Sequence, residues 1–130
     1  MIVVDASALL EALLRTPAAR AVEERLFEPQ QTLHAPHLLD IEVAQVIRRY
    51  AAKGEIDSER GRAALADLAD FPFRRYAHDF LLPRVWDLRN NLTAYDAVYV
   101  ALAEALDAPL LTRDQRLAAA AGHHARVELV

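Results

Sequence analysis

Ile2-Val3-Val4-Asp5 stands at the start of the chain as three apolar, β-favouring residues closed by an acid. A strand with one face in water alternates apolar and polar residues, whereas an unbroken apolar run suits a strand covered on both faces, as in parallel sheets. The chain is therefore expected to begin in the middle of a sheet and to deliver Asp5 to the strand's carboxyl end. A carboxylate there costs several kcal/mol unless it is paired or bound to a cation.

Ser7 is positioned to cap a helix through Leu14, and Pro17 to open a second one reaching Phe27. Thr32 to Ala35 predicts a second strand. A long helix follows from His37 to Lys53, stopped by Gly54. A further helix follows Ser58 and ends before Pro72, and Phe73 to Tyr76 has the alternation of an edge strand. Leu81 to Leu88 is helical, Asn90-Asn91 breaks the chain, and Thr93 begins a helix running to Leu106. Ala108 to Thr112 is a strand, Asp114 to Ala121 a short helix closed by Gly122, and Val127 to Val130 a last strand. This alternation implies an α/β fold, a central parallel sheet of four to five short strands flanked by helices on both faces. The 130 residues suit a single domain, 1–130.

No cysteine is present, which excludes disulfides and thiolate metal sites, so any metal must sit on oxygen or imidazole. No stretch approaches the roughly 18 uncharged apolar residues of a membrane span, and the chain reads as a cytoplasmic protein. The net charge of -4 disfavours a nucleic-acid partner at first sight. Apart from Asp5, Glu42, Asp96 and Asp114, however, 15 basic residues face 15 acidic ones, so the excess can be one cluster.

Ligand sites in open parallel sheets lie beyond the carboxyl ends of the strands. Asp5 follows the first strand and Asp114 comes two residues after Thr112, so both can face one crevice, with Glu42 and Asp96 in the first turns of helices. Each also has an ordinary reading. Thr93 with Asp96, and Thr112 with Gln115, have capping-box spacing, and Asp114 can cap the last helix alone. Glu42 suits a helix dipole, and because residues two apart do not share a helical face, only one of Asp40 and Glu42 can enter the site directly.

Taken in order, Met1-Ile2-Val3-Val4-Asp5-Ala6-Ser7-Ala8-Leu9, Leu39-Asp40-Ile41-Glu42-Val43, Leu92-Thr93-Ala94-Tyr95-Asp96-Ala97-Val98-Tyr99-Val100-Ala101-Leu102-Ala103 and Leu110-Leu111-Thr112-Arg113-Asp114 resemble the acidic motifs of PIN-domain nucleases. The third block is the most specific, and the likeness spans nearly the whole chain. The resemblance implies a PIN-like fold and a Mg²⁺ or Mn²⁺ site on Asp5, Glu42, Asp96 and Asp114, with Ser7 and Thr112 supporting the carboxylates. It further implies hydrolysis of RNA to 5′-phosphate and 3′-hydroxyl ends. Members of this length resemble VapC toxins, which form homodimers and are neutralised by a VapB-type antitoxin. Some relatives carry a further acid after the fourth; here Gln115, Arg116 and Leu117 follow, which leaves the number of metal ions open.

Arg113 and Arg116 beside the fourth acid, and Arg48 and Arg49 on the Glu42 helix, are the candidate RNA phosphate contacts. None of the five histidines has zinc spacing. Trp86, Tyr95 and Tyr99 read as packing residues rather than base-stacking platforms, and Leu9, Leu13, Leu14, Val22 and Leu26 as core. Haloacid-dehalogenase-like phosphatases also place an aspartate after the first strand, but they want a second one where Ser7 stands. A receiver-like domain wants a late-strand lysine, and the single Lys53 lies near a helix end. The non-enzymatic rival is a catalytically weak PIN-like scaffold that engages a protein or RNA partner.

Overall fold

A computed structural model describes residues 1–130. Five strands, β1 (Ile2–Val4), β2 (Leu33–Pro36), β3 (Phe73–Tyr76), β4 (Leu110–Thr112) and β5 (Val127–Leu129), form one sheet in the order β3-β2-β1-β4-β5. Every pairing is parallel. The chain does begin at the centre of the sheet: Ile2, Val3 and Val4 are each fully buried, as the unbroken apolar run requires. Phe73–Tyr76 is an edge strand, and its side chains are less buried.

Seven helices connect the strands: α1 (Ala6–Leu13), α2 (Ala19–Leu26), α3 (Leu38–Ala52), α4 (Ser58–Asp70), α5 (Leu82–Asp87), α6 (Ala94–Leu106) and α7 (Gln115–Ala119). From β1 the chain steps outward to β2 and β3, then returns across the sheet to β4 and β5. Right-handed crossovers put helices of the outward path on one face and those of the return path on the other. Accordingly α1 packs on α2, α3 and α4, while α6 lies against β1, β2 and β4. Reversal of direction between β1 and β4 opens a crevice at their carboxyl ends.

The core reading of the first two helices holds. Leu9, Leu13, Val22 and Leu26 are at most 2% exposed, and Leu14 packs partly buried against them. Gly54, at φ 73°, provides the left-handed turn that stops α3.

Three local expectations need correction. Ser7 does not cap α1: Asp5 does, its Oδ1 accepting from the Ala8 amide at 3.1 Å, and Ser7 lies inside the first turn. The last helix ends at Ala119 rather than Ala121, because Ala120 is already extended at ψ 141°. Thr112 and Gln115 form no capping box; the Thr112 hydroxyl is taken up by Asp5 and by the Asp114 amide.

Candidate functional site

Strand register brings the first pair of residues together. Val4 is paired with Leu111, so Asp5 emerges opposite Thr112, and the Thr112 hydroxyl donates to Asp5 Oδ2 at 2.7 Å. Ser7 donates to Oδ1 at 2.7 Å. With the Ala8 amide, the Asp5 carboxylate receives three donors, all neutral, and it is only 6% exposed. Burial pushes its pKa above the ordinary carboxylate range, partly opposed by those hydrogen bonds, and the nearby Asp96 adds to the rise. The buried Asp5 carboxylate thus has hydroxyls and an amide for partners, but no cationic side chain.

Asp5, Glu42, Asp96 and Asp114 all line one cavity of about 630 Å³ at this end of the sheet. They arrive from four elements: the end of β1, α3, α6 and the turn after β4. Glu42 is half-buried and its carboxyl is raised by burial and by Asp96 and Asp5, against a lowering hydrogen bond from Tyr99. Asp96 is raised by burial and then by Asp114. Charges on distant parts of the chain therefore feel one another, which converging carboxylates must do.

Helix capping is served at this end of the sheet as well, although Asp40 and not Glu42 is the first-turn acid of α3. Asp114 caps α7, accepting from the Arg116 and Leu117 amides at 2.9 and 3.4 Å. Thr93 caps α6 by accepting from the Asp96 amide at 3.2 Å. Capping and cavity lining are compatible, because a helix N-terminus aimed at the crevice places its first-turn acid there. Asp40 stays out of the cavity and instead receives a two-pronged bond from Arg75 at 2.8 and 3.1 Å.

Among the basic candidates, Arg113 and Arg49 line the cavity, whereas Arg48 and Arg116 do not. The Arg113 amide donates to Ser7 Oγ at 3.0 Å, and its guanidinium lies 3.7 Å from Glu11 and donates to the Val130 carbonyl at 2.7 Å. Arg116 is 94% exposed and points a nitrogen to within 3.8 Å of Asp114.

Packing was the wrong expectation for two aromatics. Trp86 and Tyr95 are 66% and 64% exposed, Tyr95 on the cavity wall and Trp86 beneath the Arg89 guanidinium, 4.5 Å from its ring centre. Tyr99 is buried as expected, yet its hydroxyl donates to Glu42 Oε1 at 2.6 Å. Burial and the adjoining Glu42 charge raise the phenol far above its ordinary range, so it remains a donor. Its spacing from Asp96, three residues along one helix, was a usable sequence signal. Glu11, a fifth acid on the cavity wall, was also missed; it accepts from the Thr16 hydroxyl and contacts Arg113.

The acids offer only hard oxygen donors, the chemistry preferred by Mg²⁺ and Mn²⁺. No trio of His, Asp or Glu side chains stands in ready-made ligating position. An ion such as Mg²⁺ keeps several waters and takes one or two carboxylates directly, so it does not require three of them in contact. Cation binding would also offset the burial, and the smaller mutual repulsion, that raise Asp5, Glu42 and Asp96.

The PIN domain family model matches residues 2–123. Ribonuclease VapC1 of Mycobacterium tuberculosis is 47% identical over 129 residues, covering 98% of this chain and 96% of that protein. Ribonuclease VapC12 of the same organism is 42% identical over 130 residues, covering 100% and 99%. The crystal structure of VapBC2 from Rickettsia felis, bound to a DNA fragment from its promoter, superposes with a TM-score of 0.73 over 99% of this chain and 98% of that one, at 14% identity, and so shares the fold. A family match over nearly the whole length, joined to these near-full-length relatives, leaves one conclusion: the chain belongs to the PIN-domain family and, within it, to the VapC group.

Proposed function

We propose that the protein is an endoribonuclease that hydrolyses RNA phosphodiesters at the acidic cavity and serves as the toxin of a VapBC-type pair. The observation that carries this reading is the meeting of Asp5, Glu42, Asp96 and Asp114, from four separate elements, in one cavity at the switch point of the sheet. Relatives that align end to end bear the name ribonuclease, which supports the same activity.

Asp5, Glu42, Asp96 and Asp114 would hold Mg²⁺ or Mn²⁺, with Ser7 and Thr112 fixing the Asp5 carboxylate. When bound, the ion lowers the pKa of water and neutralises charge on the phosphate. Arg113 and Arg49, both lining the cavity, supply positive charge for the RNA backbone. Tyr95 offers an exposed ring to a base at the rim. Water would attack phosphorus as the bond to the 3′ oxygen breaks and that oxygen takes up a proton, which leaves 5′-phosphate and 3′-hydroxyl ends. A VapB-type antitoxin restrains the activity, and the active form is a homodimer. No helix is long and apolar enough to cross a membrane, which is consistent with action on RNA in the cytoplasm.

The test uses purified full-length protein and a panel of end-labelled RNAs, with EDTA, Mg²⁺ or Mn²⁺. Cleavage is expected only with the cation, with products sensitive to a 5′-phosphate-dependent exonuclease. Cleavage unaffected by EDTA, or ending in 2′,3′-cyclic phosphate, would overturn the mechanism. Absence of cleavage across the panel would favour the scaffold reading.

A further inference from the structure

Among the acids proposed to hold the metal, Asp5, Asp114 and Glu42 are held by different numbers of donors. Asp5 receives two hydroxyls and an amide, and Asp114 receives two amides of its own helix. Glu42 receives one donor, the Tyr99 hydroxyl at 2.6 Å. We propose that Tyr99 is a positioning residue of the nuclease centre, directing the Glu42 carboxylate toward Asp5 and Asp96. The proposal rests on the nuclease reading given above.

Glutamate has one more rotatable bond than aspartate, and Glu42 projects from a helix rather than from the end of a central strand. In an open cavity of about 630 Å³ such a side chain has several rotamers available. Tyr99 has little such freedom. It is 2% exposed and its ring belongs to the core cluster. It lies three residues beyond Asp96 on α6, so both project from neighbouring positions on one helical face. A ring locked in the core thus presents a hydroxyl at a fixed point, and a 2.6 Å bond to a carboxylate is of the short, charge-assisted kind. The competing explanation reverses the roles: a buried phenol needs an acceptor, and Glu42 merely supplies it.

Tyr99→Phe keeps the ring and removes the donor. Asp5→Asn and Glu42→Gln serve as references. Each full-length protein is measured for Mn²⁺ affinity by calorimetry, for kcat and KM on one labelled RNA, and for thermal unfolding without metal. Tyr99→Phe is expected to lower Mn²⁺ affinity about 10- to 100-fold and kcat by a similar factor, with KM within about twofold of wild type. Adding Tyr99→Phe to Glu42→Gln should then cost nothing more. Wild-type Mn²⁺ affinity and kcat in Tyr99→Phe, with altered unfolding alone, would overturn the proposal. Should Tyr99→Phe fail to fold, Glu42→Asp withdraws the carboxylate from the phenol; it is expected to lose affinity as Glu42→Gln does, and wild-type affinity would overturn the proposal equally. If Asp5→Asn itself binds Mn²⁺ and cleaves normally, the nuclease centre is misassigned. A damaged Asp5→Asn beside an intact Tyr99→Phe removes only the positioning role.

Discussion

Asp5 and Glu104 are both nearly excluded from water, with Asp5 6% exposed and the Glu104 side chain likewise 6%, yet their surroundings treat charge oppositely. Glu104 receives both arms of Arg84 at 2.8 and 3.0 Å, and the His124 amide at 3.0 Å. Arg84 is the largest influence on it, and the carboxyl is held below its ordinary pKa. Glu128, gripped by Arg25 at 2.7 and 3.0 Å, behaves the same way. Asp5 has only neutral donors and another acid nearby, and burial raises it. Carboxylates that tie α5 to α6, or α2 to β5, come with their cation. Asp5, at the carboxyl end of β1, does not. A fold able to pair its buried acids elsewhere leaves Asp5 without a cationic side chain, and an external cation would complete it.

The comparison breaks most sharply at Asp5→Asn. This isosteric change should reduce RNA cleavage by about 10³-fold or more if Asp5 holds the metal as proposed, because the charge stabilisation such an ion supplies amounts to several kcal/mol. Metal-free unfolding should be no less cooperative than in wild type. Retained cleavage would mean that Asp5 is only a helix cap.

Arg84→Met tests the other side. Breaking the pair strands Glu104 with the exposed His124 as its remaining ionic partner, and should cost about 2 to 4 kcal/mol in urea unfolding, short of a deeply buried pair because Arg84 is a third exposed. RNA cleavage by the folded variant should be unchanged. A loss of cleavage without loss of stability would erase the division between the two regions.

Mn²⁺ should raise stability by about 2.7 kcal/mol at a hundredfold excess over its dissociation constant, seen as a rise in Tm relative to EDTA. Asp5→Asn should lose most of that rise, and Arg84→Met should keep it.

The pH dependence should carry opposite signs. Asp5 has a raised pKa in the folded protein, so the folded state holds its proton while the unfolded chain releases it near 3.8. Its contribution to stability is therefore present at acid pH and is lost as pH rises from there through the raised value. Glu104 and Glu128 are lowered, so their contribution is present above the unfolded value of 4.5 and is lost as pH falls through the folded one. In metal-free unfolding titrated from acid to neutral, Asp5→Asn should lose, relative to wild type, a component of stability that falls as pH rises, and Arg84→Met should lose one that grows as pH rises. Identical curves for all three proteins would mean that these groups are not differently placed.

Arg113→Ala is the smallest change expected, raising KM for RNA about 3- to 10-fold, or roughly 1 kcal/mol, with kcat nearly unchanged. A kcat effect larger than the KM effect would move Arg113 from holding RNA to the chemistry itself.

Much of this molecule was legible before folding was considered. An apolar run without alternation marked β1 as a buried strand, and the alternation in Phe73 to Tyr76 marked an edge. Gly54 marked the end of α3, and acids at the carboxyl ends of β1 and β4 pointed to one crevice. The two-residue spacing of Asp40 and Glu42 foretold that at most one could enter it, and only Glu42 does. Less legible was which donor serves which acceptor. Ser7 and Asp5 are both good caps, and only the path of the chain into α1 gives that task to Asp5 and frees the Ser7 hydroxyl to support it. Aromatic residues were harder still: Trp86 and Tyr99 are equally apolar on paper, yet one is exposed and the other buried.

The sequence by itself determined the strands, the helices and the identity of the acids, because periodicity and termination are properties of neighbours along the chain. Tertiary structure alone decided that Thr112 faces Asp5 across 107 positions and that Tyr99 reaches Glu42 across 57. It also decided that Glu104 finds an arginine while Asp5 does not. The reason is that strand register and helix docking set those distances, and both depend on how the whole core closes rather than on any local stretch.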